Sequence, residues 1–121
     1  MGYIARATAA ENAIRVNSLK TGMVLGFDTD LTAAAGAGTE LVWQYEVDLT
    51  DFTTIYVVAE GHEAIDKLRV HIGGVEVASF GAKNTQEIDV SATTGNQLIE
   101  FYQDQRAAGA ATAYIYYFWG F

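Results

Sequence analysis

The chain contains no cysteine and no proline. Without thiols, a disulfide framework and a thiolate metal site are both excluded. Without proline, turns must rely on the 12 glycines and on Asn, Asp, Ser and Thr. Basic residues are also few: 7 Lys and Arg stand against 15 Asp and Glu, a formal charge of −8. Arg6, Arg15, Lys20, Lys67, Arg69, Lys83 and Arg106 are scattered along the chain. Phosphate contacts need clustered bases, so no nucleic-acid partner is expected. No apolar run approaches the roughly 18 residues of a membrane span, so no membrane partner is expected either. The opening MGYIARATAAENAIRV lacks the apolar run of a signal peptide. Arg6 also stands where a myristoylation signal needs Ser or Thr.

Groups for catalysis are scarce as well. There are two histidines, His62 and His71, and three serines, Ser18, Ser79 and Ser91. A nucleophilic triad needs a base beside its nucleophile, and no spacing here supplies one. His62 stands in a polar stretch with Glu60 and Glu63 and reads as a solvated loop residue. His71 alternates with Leu68, Val70 and Ile72 and so points to the wetter face of a strand. Two histidines on separate elements do not define a zinc site. Glu46, Asp48, Glu76 and Glu100 could supply a carboxylate pair for glycoside hydrolysis, but nothing selects a pair and they read as a solvated face. Gly36-Ala37-Gly38 does not run into a helix, so no phosphate loop is present. The expectation is that the protein is not an enzyme.

What the sequence has is alternation. In residues 41–49, LVWQYEVDL, Leu41, Trp43, Tyr45, Val47 and Leu49 share one face. Period-two patterning of this length marks a half-buried β-strand. Residues 54–59 read as the next strand. Residues 67–72 and 75–80 read as a hairpin joined by Gly73-Gly74, because primed turns need positive φ. Residues 86–91 and 98–102 follow, with a turn at Thr94-Gly95-Asn96. The last stretch, residues 113–121, is apolar on both faces by strict alternation: Tyr114, Tyr116 and Phe118 on one, Ile115, Tyr117, Trp119 and Phe121 on the other. Upstream, residues 3–9 read as an edge strand or arm, residues 14–18 as a strand and Lys20-Thr21-Gly22 as a turn. Residues 23–27 read as a strand ending at Asp28-Thr29-Asp30. Residues 32–39 and 106–112 are small-residue loops. One domain spans residues 1–121, with 1–10 as an arm or edge strand. The fold class is an all-β antiparallel sandwich of jelly-roll type, with about eight or nine strands.

Residues 46–121 resemble the galactose-binding-like jelly rolls, the family of many carbohydrate-binding modules. The resemblance is carried by Val47-Asp48-Leu49, the Lys67–Val77 hairpin, Ile88-Asp89-Val90-Ser91 followed by Gly95-Asn96, the Ile99-x-Phe101 strand and the aromatic last strand. It implies exposed aromatics on a concave face or loop rim. Trp43 and Trp119 lie in alternating strands and read as core, which leaves Tyr56, Tyr102, Tyr114 and Tyr116 as the stacking candidates, with Arg106 as a polar contact. Some members of that family hold a structural calcium. Asp28, Asp30 and Asp51 are donors of the right kind, although Asp28-Thr29-Asp30 reads more simply as a turn.

Two functions are consistent with these features. The first is a non-enzymatic structural protein of a tailed-virus particle, a capsid decoration or small tail component. It would be made in the host cytoplasm and located in the virion. It would assemble with itself as a trimer or ring, and with a capsid or tail protein, through the arm and the two small-residue loops. The alternative is a carbohydrate-binding module that stacks sugars on exposed tyrosines.

Overall fold

The computed structural model describes residues 23–121, with side chains from residue 29. The arm, the strand at 14–18 and the turn at 20–22 lie outside the described residues. Eight strands follow one another: β1 Met23–Ala33, β2 Thr39–Asp48, β3 Thr54–Glu60, β4 Leu68–Ile72, β5 Val75–Phe80, β6 Asn84–Asp89, β7 Asn96–Asp104 and β8 Ala111–Gly120. They form two antiparallel four-stranded sheets, in the orders β1-β8-β3-β6 and β2-β7-β4-β5. Apart from the β4–β5 hairpin, successive strands alternate between the sheets in the winding of a jelly roll.

Burial follows the pleat. β4 buries Leu68, Val70 and Ile72 and leaves Arg69 and His71 half-exposed. β7 likewise buries Ile99, Phe101 and Gln103. Between the sheets, Trp43 lies 5.3 Å from Phe101 and 5.9 Å from Phe118, and Phe101 lies 5.4 Å from Phe118, ring centre to ring centre. Ile55, Val57, Leu68, Val70 and Ile115 complete the layer. Each such side chain contributes about 1.5–3 kcal/mol when fully buried.

Glycine and aspartate set the turns. Gly73 and Gly74 both take positive φ, 60° and 83°, as the β4–β5 hairpin requires. The Asp-x-Thr and Asp-x-Ser echoes have a common job at strand ends. The Asp48 carboxylate accepts the Thr50 amide, and the Asp89 carboxylate accepts the Ser91 amide and hydroxyl. These bonds favour the ionised form and hold both carboxyls below the usual range.

Several sequence expectations need correction. β1 does not stop at Asp28-Thr29-Asp30; it runs on to Ala33, and Asp30 pairs with Tyr114. The stretch is therefore strand, not a turn. β6 begins at Asn84. In β8 the alternation slips at a register shift against β3, where Val58 pairs with Tyr117 but Ala59 pairs with Ile115. Phe118 consequently joins Ile115 in the core instead of sharing a face with Tyr114 and Tyr116. Trp119 is buried, but in a second cluster with Val58, away from the layer between the sheets.

The small-residue stretches are loops, as expected, with narrower bounds, at residues 34–38 and 105–110. They bond to each other: the Gly36 amide donates to the Arg106 carbonyl (2.8 Å), the Gln105 amide to the Gly38 carbonyl (2.8 Å), and the Gln105 side chain to the Ala34 carbonyl (3.1 Å).

Candidate functional site

The outer face of the β2-β7-β4-β5 sheet carries the chemistry. Register puts its side chains in rows across the strands. One row is Leu41, Tyr102, Arg69 and Ser79. The next is Gln44, Glu100, His71 and Glu76. Beyond them, Glu46 stands opposite Leu98. Leu41 and Leu98 are 40% and 37% exposed, one on each side of the Gln44–Glu100 row.

Tyr102 is the aromatic centre. Its ring lies 4.7 Å from the His71 ring at 46°, and its hydroxyl donates to Glu100 Oε2 at 3.0 Å. That hydrogen bond, with some burial and the Glu100 charge, raises the phenol above its ordinary value. Arg69 braces the row. Its Nε and Nη2 donate to the two oxygens of Asp104, at 2.8 and 3.1 Å, and Nη1 donates to Glu76 Oε1 at 3.3 Å. The Asp104 bond raises the guanidinium further above its already high value, against the effect of burial. For Asp104, burial alone would raise the carboxyl. The bonds from Arg69 and the Lys67 amide, and the charges of both residues, outweigh it and leave the carboxyl lowered. Both partners are less than a third exposed. Glu76 Oε1 also lies 3.7 Å from His71 Nε2.

The aromatic candidates divide between the two sheets. Only Tyr102 stands on this face. Tyr56, Tyr114 and Tyr116 lie on the outer face of the other sheet, where Tyr56 pairs with Trp119 and Glu60 with Tyr114 in register. There Tyr116 donates to Glu60 at 2.7 Å, lies 4.6 Å from Tyr114 and has the Lys83 ammonium 4.2 Å from its ring centre. Tyr56 packs on Phe121 at 5.1 Å. Tyr114, Tyr116, Tyr117 and Lys83 all have further partners, so these rings are engaged.

Arg106 lies at the loop end of the sandwich. Its Nη1 is 3.0 Å from His62 Nε2, and Glu63 and Asp66 stand 3.9 and 3.8 Å from its guanidinium. His62 is not a solvated loop residue. Its Nδ1 accepts the Thr112 amide at 2.9 Å. The β3–β8 pairing ends at Glu60 and Tyr114, and the imidazole takes the next amide in place of a backbone carbonyl. Among the described residues, no group of three or more His, Asp or Glu side chains could hold a metal ion. Asp30 sits within β1 and Asp51 in the turn after β2, on separate elements.

From the sequence Glu100 reads only as a solvated carboxylate, and nothing pairs Arg69 with Asp104. The available signal was the pairing of two i, i+2 series, Arg69 and His71 on one strand with Glu100, Tyr102 and Asp104 on another. Without knowing that β4 and β7 are neighbours, the two series cannot be joined.

No family model and no curated protein matches the chain. Two solved structures are similar to it. One is the CBM36-1 domain of a multidomain xylanase from the hindgut metagenome of Trinervitermes trinervoides. It is 17% identical, the match covers 78% of this chain and 96% of that one, and the TM-score is 0.45. The other is a carbohydrate-binding module, CBM36, in complex with calcium and xylotriose. It is 20% identical, with 75% of this chain and 97% of that one covered, and a TM-score of 0.41. Overlap at this level carries no ligand from those proteins to this one. The jelly-roll assignment stands on the strand order itself.

Proposed function

We propose that the protein is a non-catalytic carbohydrate-binding module and that the outer face of the β2-β7-β4-β5 sheet is its binding platform. The observation that carries this reading is Tyr102, a half-buried ring set among hydrogen-bonding side chains that are themselves braced. Sugar rings offer apolar faces edged with hydroxyls. A tyrosine ring can take the face while Gln44, Glu100 and His71 take the hydroxyls. Leu41 and Leu98 extend the apolar surface to either side of the polar row. Bracing by Arg69 and Asp104 supports prior organisation, which lowers the ordering cost of binding.

The assembly reading drew on two small-residue loops facing a neighbour. Those loops are bonded to each other through their backbones, and no observation in the structure favours a partner for them.

The test is binding of a panel of oligosaccharides by calorimetry, with and without calcium to separate direct from cation-dependent binding. Tyr102→Ala is expected to weaken binding at least tenfold with the melting midpoint little changed. A panel without a binder, or a Tyr102→Ala variant that binds as well as wild type, would remove the proposal.

A further inference from the structure

The charge on this platform selects among glycans. Resting on the platform reading above, we infer that its ligands are neutral glycans and that uronate-bearing or sulfated glycans are rejected. By register the face carries five carboxylates, Glu46, Asp48, Glu76, Glu100 and Asp104, against two permanent cations, Arg69 in its middle and Lys67 just before β4, whose charge falls on Asp104. A site for an anionic sugar needs a cation with free donors, and a bidentate guanidinium is the usual solution. Here the guanidinium fork is already closed. Asp104 accepts two of its donors and Glu76 accepts a third.

Opening that fork to a ligand carboxylate would leave Asp104, half-enclosed at 16% exposure, without its charged partner. The other carboxylates stand in the rows beyond, Glu100 opposite His71 in the next and Glu46 opposite Leu98 in the one after. An incoming anion would meet more negative charge there than Arg69 and Lys67 offset. A neutral sugar meets the same groups as acceptors for its hydroxyls, which suits carboxylates well. His71, next to Tyr102 and Glu76, and the Gln44 amide supply the uncharged nitrogen groups of that row.

Matched sugars separate this inference from the reading beneath it. Oligomers of glucose, galactose and mannose are compared with oligomers of the corresponding uronates, which differ at C6. Affinity is measured at low and at physiological salt. The expected result is that at least one neutral oligomer binds and that its uronate counterpart binds about tenfold or more weakly. The gap should narrow as salt screens the face. In Glu76→Gln, which frees part of the Arg69 fork, and separately in Glu46→Gln, it should narrow at least threefold. A uronate that binds as well as its neutral counterpart would overturn the inference and leave the platform standing. A gap that salt and both variants leave untouched would overturn it too. No binding by either series would end the platform reading and this inference with it.

Discussion

Asp104 joins the face to the loop behind it. Its carboxylate accepts Arg69 and the Lys67 amide (3.1 Å), while its own amide donates to the Lys67 carbonyl (2.9 Å). Because its folded pKa is lowered, the stability it contributes is present above the unfolded value and is lost as pH falls below about 4. Asp104→Asn keeps part of the hydrogen bonding but loses the charge. It is expected to cost about 1–2 kcal/mol at neutral pH, after allowance for partial exposure. Its stability should also fall less steeply than wild type in acid. Urea midpoints from pH 7 to pH 3 would read both effects, and parallel profiles for the two proteins would contradict them. Gly61 sets a different kind of limit. A β-carbon there would lie 2.5 Å from the Phe80 carbonyl oxygen and 2.8 Å from the Leu68 nitrogen, both backbone atoms. Gly61→Ala is therefore expected to lower stability by about 2–4 kcal/mol, read as a drop in the urea midpoint. A midpoint within error of wild type would show that the backbone yields there.

At the scale of elements, the loop end depends on a side chain finishing a ladder. His62 accepts the Thr112 amide next to the last backbone rung between β3 and β8. An asparagine at 62 can offer an oxygen in nearly the same place, whereas alanine cannot. Hydrogen exchange at the Thr112 amide should therefore stay slow in His62→Asn and quicken about tenfold in His62→Ala, with Ile115 unchanged. Equal protection in all three proteins would remove the role. The same element shows why sequence reading went as far as it did. The Gly-Gly hairpin, the alternation of β4 and β7 and the Asp-x-Thr/Ser strand ends are local, so periodicity and turn chemistry disclose them. The slip in β8 is not local. Residues 113–121 are apolar at nearly every position, so pattern alone does not show where the register shift falls, and strict alternation misplaces Phe118. The mutual bonding of residues 34–38 and 105–110 joins segments about seventy positions apart that are nearly all small residues, a composition that fits a free loop equally well.

For the whole molecule, the winding decides which side chains meet. β2, β7 and the β4–β5 hairpin are far apart in the chain, yet one sheet sets Leu41, Tyr102, Arg69 and Ser79 in a single row. The other sheet shows an aromatic outer face whose rings are already engaged, with Val58 and Trp119 buried. Among the described residues the tyrosines thus lie in three settings: Tyr45 against the core, Tyr56, Tyr114, Tyr116 and Tyr117 together on the outer side of the other sheet, and Tyr102 among polar groups. The setting of Tyr102 is the proposed binding surface. Backbone amide shifts on titration with the neutral oligosaccharide that binds tightest would locate it. The largest changes are expected on Gln44, Arg69, His71, Glu100 and Tyr102. Changes centred instead on Tyr56, Tyr114 and Tyr116, or on the loop end around His62 and Arg106, would contradict it.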